Sequence, residues 1–398
     1  MMGKCFYRVH EGQGVYSEYY KEISAEEYET YCAGIAEKGF ALQKEHVWGA
    51  SVFRFYAKEN DLYIVSYYPN RSEMLAVSEP NSNWFRYTDN AGKDRTTSLL
   101  RQVELDDFGE SYVIRLRDGR LLVFDGGFES ESDADNLMHT LTEFSPDDKP
   151  CIAAWIMTHP HLDHYRCFLV FEKKYGTQVE IEKFIYNFPD TGVEEYEAIP
   201  GLTRYEEAAY LEKFYALVKK EGAPVYRAHT GQIFQIGNAK LEILSSPDNT
   251  LEAPVKDFNQ LSLVIRMEIE GQVILWAGDA YFGKAKLAKR YGDYLKSDIF
   301  QIPHHGFQGG DEATYDLIRP DVCLICGFDR VWLGSEFHFY ELSYNQHLIY
   351  EMDVQEYLAG GNGNITLELP YFPQGNGKEA LRERIAKWRK ENGENHHN

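Results

Sequence analysis

The sequence lacks any apolar run near the roughly 20 residues that a membrane-spanning helix needs. Its first residues, MMGKCFYRVHEGQG, also lack the apolar stretch of a secretory signal. Positive charge is scarce, since 41 Lys and Arg face 63 Asp and Glu and the net charge is −22 at pH 7. This balance argues against nucleic acid and anionic membranes as partners, because affinity for phosphates comes from clustered cations. We therefore expect a cytoplasmic protein with a small-molecule substrate, and self-association to a homo-oligomer stays open.

Cysteine is sparse as well, and the six residues are scattered over 398 positions: Cys5, Cys32, Cys151, Cys167, Cys323 and Cys326. This spacing, without a secretory signal, predicts reduced thiols rather than a disulfide framework. Cys323 and Cys326 form a CxxC, which is typical of redox and zinc pairs. They lie inside the apolar run DVCLICG and the chain has no second CxxC, so we expect buried structural thiols.

The first 95 residues predict a small α+β accessory domain. Ser24 and Glu27 form a capping box that begins a helix, and Gly39 can end it. Three strand-like runs follow, SVFRFYAK, DLYIVSYY and EMLAVSE, separated by turn residues. Because this region holds no residues with candidate chemistry, we expect it to serve packing or dimerisation.

From about residue 96 to 370 the pattern changes to hairpins and then to strands that alternate with helices. VIRLRDGRLLVFDGG predicts a hairpin around the Asp118-Gly119 turn, PCIAAWIMT a buried strand, and TRYEEAAYLEKFYALVKKEG a helix. Further strands are predicted in AKLEILSSP, LSLVIRMEIE, GQVILWAGD and SDIFQIPHHG. The pattern indicates two sheets with helices outside them. Residues 371–398 predict a C-terminal helix and a flexible tail, in which we expect His396 and His397 to be solvated.

The main chemical signal is a run of metal-competent side chains directly behind the buried strand: His159, His161, Asp163 and His164. A loop at a strand end can turn all of them toward one point. Imidazoles with a carboxylate are suitable ligands for a borderline ion such as Zn²⁺. A polar surface loop would not explain this crowding behind a strand as apolar as CIAAWIM, so the sequence predicts a metal site.

This HxHxDH motif resembles the signature of the metallo-β-lactamase superfamily. VFDGG (123–127), WAGDA (276–280) and IPHHG (302–306) resemble later motifs of that superfamily in the same order. The segments FGESYVIRLRDGRLLVFDGG, FNQLSLVIRMEIEGQVILWAGD and GNGNITLELP resemble the lactamase-like domain of competence DNA-uptake proteins and of phosphorylcholine esterases. The resemblance implies an α/β (α+β) fold, an αββα sandwich over about 96–370, with the small N-terminal α+β unit as an appendage.

The resemblance also implies a ligand set for two metals. His159 and His161 would bind the first metal, Asp163 and His164 the second, and Asp279 would bridge them. Asp125 would orient a ligand imidazole by hydrogen bonding.

The adjacent His304 and His305 are predicted to have different roles. On an extended backbone, adjacent side chains point to opposite sides, so only one of the two can close the second metal's coordination. We favour His305 as that ligand. His304 is then expected to act on the substrate, and Asp163 and His304 are the predicted catalytic residues.

Two positions depart from the superfamily pattern. Many members have a further His at a strand end between the two main motifs, where this chain has Ser245 and Ser246. His229 is the only His in that interval and is either a ligand or a surface residue, while Asp248, Asn259 or water could also substitute. The second departure is Tyr165-Arg166, where the superfamily often has a glycine pair; this bulk is expected to narrow the pocket.

We therefore expect a hydrolase that uses a hydroxide bound at a dinuclear site, acting on a phosphoric ester, a phosphodiester or another small ester. The cofactors would be two divalent ions, zinc in the first place, with manganese or iron as alternatives. An iron-dependent redox enzyme of the same fold and a degenerate, non-catalytic metal-binding module stay open. Five tyrosines are expected either to line the substrate pocket or to lie in the core and on the surface: Tyr186, Tyr196, Tyr205, Tyr210 and Tyr215.

Overall fold

The computed structural model describes residues 4–10, 14–80, 89, 92–107, 109–189, 207–250, 255, 257–283, 285–307, 309–326, 352–360, 363–375 and 377–392. Within these ranges the chain forms sheets of six, eight and seven strands. Its helices are α1 (Ala25–Glu37), α2 (Glu131–Phe144), α3 (Leu162–Tyr165), α4 (Cys167–Tyr175), α5 (Glu207–Glu221), α6 (Lys286–Tyr291), α7 (Glu312–Ile318) and α8 (Gly377–Asn392).

The first sheet is antiparallel and contains β1 (Lys4–His10), β2 (Val15–Lys21), β3 (Ala41–Trp48), β4 (Ser51–Lys58), β5 (Asp61–Tyr68) and β6 (Glu73–Glu79). The strand order is β1-β2-β6-β5-β4-β3. Helix α1 begins with the predicted capping box of Ser24 and Glu27. It covers one face of the sheet, where Tyr28 stacks on Tyr67 with ring centroids 4.7 Å apart.

The second sheet contains β7 (Leu99–Gln102), β8 (Ser111–Arg115), β9 (Leu121–Asp125), β10 (Cys151–Ile156), β11 (Glu180–Ile181), β12 (Phe184–Tyr186), β13 (Val225–Arg227) and β21 (Ile365–Glu368). Its order is β13-β12-β10-β9-β8-β7-β21, with β11 beside β10. Strands β9, β10 and β12 are parallel, so their carboxyl ends lie at the same edge.

The third sheet contains β14 (Ile233–Ile236), β15 (Ala239–Ser245), β16 (Val264–Ile269), β17 (Gln272–Trp276), β18 (Ile299–Gln301), β19 (Val322–Ile325) and β20 (Glu356–Ala359). These strands are hydrogen-bonded in chain order. Because β17, β18 and β19 are parallel, their carboxyl ends also share one edge.

The second and third sheets pack face to face. In β8, alternate side chains go to opposite faces: Tyr112 and Ile114 join the cluster shared with the third sheet, while Val113 joins the cluster that includes α2 and α4. Phe124 stacks on Trp276 across the interface with ring centroids 4.6 Å apart. With α6 and α7 contributing to the core from the other side, this arrangement confirms the predicted αββα sandwich.

The first sheet contacts the sandwich through its other face. Trp48 stacks on Tyr294 with ring centroids 6.0 Å apart, and the Ser51 hydroxyl donates to the carbonyl of Arg290 at 2.6 Å. The predicted domain boundaries at 95/96 and 370/371 stay predictions. The predicted tail after residue 392, with His396 and His397, lies outside the described residues. Among the helices that can be described, none has the length and apolarity that crossing a membrane requires.

Candidate metal centre

The predicted ligands meet where the carboxyl ends of the two sheets adjoin. Asp125 ends β9, His159 follows β10, Asp279 follows β17 and His304 follows β18. The two sheets approach closely here, because a Cβ atom added to Gly278 would lie 2.9 Å from the Thr158 hydroxyl oxygen. Gly278 also has a φ of 50°, a left-handed conformation that favours glycine. The close approach to Thr158 and the backbone angle therefore both require glycine at this turn.

One carboxylate oxygen, Oδ2 of Asp279, lies at the centre of the cluster. The Nε2 atoms of four imidazoles surround it, at 3.6 Å for His159, 3.3 Å for His164, 3.9 Å for His304 and 3.6 Å for His305. His159, His164 and His305 are at most 1% exposed. A buried oxygen ringed by imidazole nitrogens is the arrangement expected of a bridging ligand.

Among the described residues, two of the three groups of ligand-type atoms share Asp279. One group joins it with Asp163, His164 and His305, and the other with His159 and His161; in each group the atoms all lie within 4.8 Å of one another. Oδ2 of Asp163 lies 3.0 Å from Nε2 of His305. These are the two sets that the resemblance implies.

The second nitrogen of each buried imidazole is held by a hydrogen bond. Nδ1 of His164 donates to Asp125 at 2.9 Å. Nδ1 of His159 lies 3.1 Å from the Thr158 hydroxyl, which itself donates to Asp125 at 2.7 Å. Asp125 therefore fixes two rings, one directly and one through Thr158, so that their Nε2 atoms point to Asp279.

His305 is held by Cys326, which was predicted to be only a buried structural thiol. Its Nδ1 lies 2.9 Å from the carbonyl oxygen of Cys326. The Cys326 thiol in turn donates to the buried carboxylate of Glu110 at 3.3 Å. Both cysteines of the CxxC are buried, as predicted, and none of the six cysteines is in a disulfide. Cys326 is nevertheless part of the support of the centre.

The expected extended backbone at His304 and His305 is wrong. Both residues have left-handed conformations, with φ values of 54° and 53°. The turn brings both Nε2 atoms within 4 Å of Asp279 instead of sending the side chains to opposite sides. His305 is buried at 1% exposure, whereas the His304 side chain is 18% exposed and its Nε2 lies 3.2 Å from the amide nitrogen of Asn259. This geometry favours His305 as the ligand and His304 as the residue nearer to solvent.

His161 lies on the more open side of the cluster, with a neighbour that the sequence analysis missed. Its Nε2 is 3.4 Å from Oδ1 of Asp257, whose side chain is 45% exposed. Asp257 lies beside His161 but does not belong to the group formed by His159, His161 and Asp279. No metal motif marks Asp257 in the sequence.

Two of the residues considered as substitutes for the missing strand-end His, His229 and Asp248, are engaged elsewhere. Nδ1 of His229 lies 2.7 Å from Asp248, and its Nε2 lies 3.1 Å from Glu79 of the first sheet. Ser246 also donates to Asp248, at 2.8 Å. His229 is completely buried, so its interpretation as a surface residue is wrong. Of the named substitutes, only Asn259 adjoins the cluster, through its contact with His304.

The charges of the cluster are set by burial and by mutual contacts. Burial, with repulsion from His164, holds the pKa of His159 well below its usual range, which keeps this imidazole neutral as a metal ligand requires. Burial alone would raise the pKa of Asp279, but the imidazoles of His164 and His305 hold it well below its usual range. Burial and the Asp125 charge raise the pKa of Glu110 to about 8.

The residues fit a pair of divalent ions. Nε2 of His159, Nε2 of His164 and Oδ1 of Asp279 are buried and make no hydrogen bond with any residue that the structure describes. Buried polar atoms without a partner are rare and point to something missing between them. Imidazole nitrogens with carboxylate oxygens are ligands for zinc, manganese and iron.

Tyr165 and Arg166, the two large residues that follow the HxHxDH motif, are buried and contact α5. The Arg166 guanidinium lies over the Tyr210 ring, 3.6 Å from its centroid, and donates to Glu207 at 2.7 Å. The Tyr165 hydroxyl donates to the same carboxylate at 2.9 Å, so both residues fasten α5 to the motif. Tyr186 and Tyr215 pack against Phe214 of α5, while Tyr196 and Tyr205 lie outside the described residues.

Residues 106–243 match the model of the metallo-beta-lactamase superfamily. No curated protein matches the chain.

Among solved structures, CmlA, a diiron beta-hydroxylase from Streptomyces venezuelae, is similar with 13% identity and a TM-score of 0.41, over 69% of this chain and 55% of CmlA. The metallo-beta-lactamase fold protein YhfI from Bacillus subtilis is similar with 13% identity and a TM-score of 0.41, over 68% of this chain and 99% of YhfI. The short form of human tRNase Z has 11% identity and a TM-score of 0.36, over 69% and 99% of the two chains. The chain thus spans little more than half the length of CmlA.

Proposed function

We propose that the chain is a metal-dependent hydrolase with a two-metal centre, and the match of residues 106–243 to the metallo-beta-lactamase superfamily model supports this proposal. The observation that carries the proposal is the buried Asp279 oxygen with four imidazole Nε2 atoms within 4 Å of it. His159, His161 and Asp279 would hold one ion, and Asp163, His164, His305 and Asp279 the other. Two such ions supply Lewis acidity and lower the pKa of water to about 7.

The chain's own residues supply orientation and proton transfer. Asp125, Thr158 and the Cys326 carbonyl keep the imidazoles of the centre turned inward, which reduces the reorganisation needed during the reaction. Asp163 would contribute its charge at the reacting centre. His304, whose side chain is 18% exposed, would exchange a proton with a substrate oxygen.

The proposed substrate class is a phosphoric ester, a phosphodiester or another small ester, with zinc as the first choice of metal. Support for a phosphoric ester comes only from the resemblance of three segments to phosphorylcholine esterases and competence proteins. The net charge of −22 favours a small molecule over a nucleic acid.

Metal content and turnover together test the proposal. We expect up to two transition-metal ions per chain by elemental analysis, and hydrolysis of at least one member of a panel of chromogenic phosphodiesters, phosphate esters, lactones and thioesters. Asp279→Asn should reduce metal content, whereas His139→Ala, at a side chain 73% exposed on α2, should not. Protein that binds no metal even after incubation with Zn²⁺ or Mn²⁺ would refute the proposal. Two iron ions without hydrolysis would favour redox chemistry, and two zinc ions without turnover a non-catalytic module.

A further inference from the structure

Glu110 is a buried glutamate to which the proposed function assigns no role. It directly precedes β8 and is 0% exposed. It forms the third group of ligand-type atoms with Asp125 and His164, and these atoms lie within 4.8 Å of one another. Burial of a carboxyl group costs free energy unless its oxygens are hydrogen-bonded, so the partners of Glu110 indicate its role.

The side chain of Glu110 reaches His305 through Cys326. Oε2 of Glu110 accepts a hydrogen bond from the Cys326 thiol at 3.3 Å. The carbonyl oxygen of the same cysteine lies 2.9 Å from Nδ1 of His305, and its thiol lies 3.5 Å from that nitrogen. Because the side chain and the carbonyl group of one residue move together, holding the thiol also holds the carbonyl that orients the His305 ring.

The same oxygen of Glu110 reaches Asp279 through Gln301. Oε2 accepts a hydrogen bond from the amide nitrogen of Gln301 at 3.0 Å, and that nitrogen also donates to the carbonyl of Gly278 at 3.2 Å. The amide oxygen of Gln301 accepts the backbone N–H of Ala277 at 2.7 Å. Gln301 therefore holds the two residues that precede Asp279. The acceptor on Glu110 determines which end of the Gln301 amide faces each of them.

The backbone of Glu110 contacts a third ligand directly, since its N–H donates to the carbonyl oxygen of Asp163 at 3.1 Å. We call the ion proposed for Asp163, His164, His305 and Asp279 the second ion. Glu110 is thus connected to three of its four proposed ligands: Asp163, His305 and Asp279. None of these hydrogen bonds leads to His159 or His161, which are proposed for the other ion.

We propose that Glu110 is a positioning residue for the second ion. One oxygen of its carboxylate holds Cys326 and Gln301, so that the His305 ring and Asp279 keep the positions in which they bind the ion. Glu110 itself contacts neither the ion nor the substrate. The inference rests on the two-metal centre of the proposed function and does not depend on the reaction that this centre catalyses.

Titration of the metal-free full chain with Co²⁺ tests the proposal, because the visible absorption of bound Co²⁺ depends on its ligand geometry. Glu110→Met keeps the length of the side chain and removes the acceptor. It should weaken the second ion about 10–100-fold, alter its absorption bands and change the affinity of the other ion by less than about threefold. Glu110→Gln keeps an oxygen acceptor and should restore both affinities to within about threefold of the wild type. His305→Ala, which removes a proposed ligand of the second ion only, identifies the absorption bands of that ion.

A second pair of variants tests the arm through Cys326 and leaves Glu110 in place. Cys326→Ala removes the thiol donor but keeps the carbonyl group, and it should weaken the second ion. Cys326→Ser keeps a donor and should bind both ions as the wild type does. Glu172→Met is the matched control, because Glu172 is also buried, at 5% exposure, and its carboxylate accepts a hydrogen bond from Lys220 at 2.9 Å. It should leave both affinities unchanged.

Unchanged affinities and absorption bands in Glu110→Met and Cys326→Ala would overturn the inference. If urea unfolding then showed both metal-free variants to be less stable, Glu110 would only stabilise the fold. Equal weakening of both ions would overturn it as well. If Glu110→Met does not fold, the contrast between Cys326→Ala and Cys326→Ser decides. A wild type that binds two Co²⁺ ions and hydrolyses no ester would refute the proposed hydrolase alone, whereas a wild type that binds no Co²⁺ would refute both.

Discussion

At the scale of single residues, the two adjacent histidines differ in exposure and in their second contacts. His305 is buried, with Nδ1 fixed by the Cys326 carbonyl, whereas the His304 side chain is 18% exposed. We expect His305→Ala to lower metal content toward one ion per chain, with activity falling alongside. His304→Ala should keep both ions and slow turnover by about 10²–10⁴-fold, the usual contribution of a general acid. Elemental analysis and single-substrate kinetics on both variants measure these effects.

The left-handed turn at His304 and His305 allows two other outcomes of these substitutions. Both Nε2 atoms approach Asp279, so the two roles are separated by only a small difference in distance. Metal loss in His304→Ala with retention in His305→Ala would mean that the ligand and the acid are reversed. Equal loss in both variants would mean that the turn holds one ion through both rings.

A second prediction at this scale concerns Asp257. Because its carboxylate lies 3.4 Å from Nε2 of His161, we expect it to orient that ring. Asp257→Asn should weaken the binding of one ion by about 10–100-fold and leave the other unchanged. Competition with a chromophoric chelator measures both affinities, and Asp61→Asn, at the exposed first residue of β5, is the control. Unchanged affinities would show that the contact has no role in positioning.

The sequence pointed to the candidate ligand residues and to Asp125, but not to the other residues that surround them, for a physical reason. Ligands that follow one strand are contiguous, so His159 to His164 form a visible motif. Glu110, Cys326 and Asp257 reach the centre from distant parts of the chain, and only the packing of the two sheets brings them there. The left-handed turn at His304 could not be read from a His-His pair, because this conformation is uncommon for residues other than glycine.

At the scale of helices and strands, the elements that could be predicted from the sequence are those with a regular pattern of buried residues. The strands β4, β5 and β6 and the helix α1 were predicted, since their apolar spacing and the capping box of α1 are clear. Strands β1, β2 and β3 were missed. Most of β3 is exposed, because it pairs with only β4 at the sheet edge, and its sequence ALQKEHVW therefore lacks the alternation that marks a half-buried strand.

A polar network around His229 joins β6 to the segment after β15. It predicts that the stability of the folded protein depends on pH. His229 lies between Asp248, beyond β15, and Glu79, at the end of β6. Although burial opposes its charged form, the Asp248 carboxylate leads the contacts that raise the pKa of His229 from 6.5 to about 9. The stabilisation of the folded protein by the charged His229 is therefore complete below about pH 6.5 and is lost as pH rises through about 9. The shift corresponds to about 3 kcal/mol of unfolding free energy.

Urea unfolding at pH 6, 7.5 and 9.5 measures this effect. The wild type should lose stability between the first and the last pH, and His229→Gln should be less stable at pH 6 with a flatter profile. His139→Gln, at an exposed histidine, should follow the wild-type profile. Parallel profiles for the wild type and His229→Gln would mean that His229 is not charged in the folded protein.

At the scale of the whole molecule, the first sheet and the sandwich share a continuous cluster of buried side chains. Trp48, Phe53 and Leu62 of the first sheet belong to the same cluster as Leu241 and Trp276 of the third. Buried polar contacts cross this boundary as well: Ser17 donates to Asp248 at 3.2 Å. The sequence predicted an accessory unit from its local helix and strand patterns, and a shared core cannot be seen in a linear pattern.

This shared core predicts cooperative unfolding, which two neighbours on β3 can test. Trp48 is 3% exposed and packs on Phe53 and Tyr294, whereas the adjacent Val47 is 54% exposed. Trp48→Ala should cost about 3–5 kcal/mol and lower a single melting transition, while Val47→Ala should change stability by less than about 0.5 kcal/mol. The transition of Trp48→Ala should still rise when Zn²⁺ is added, because metal bound to the sandwich would stabilise both parts together. A separate early transition that Trp48→Ala lowers and Zn²⁺ leaves unmoved would instead show that the first sheet unfolds as an independent domain.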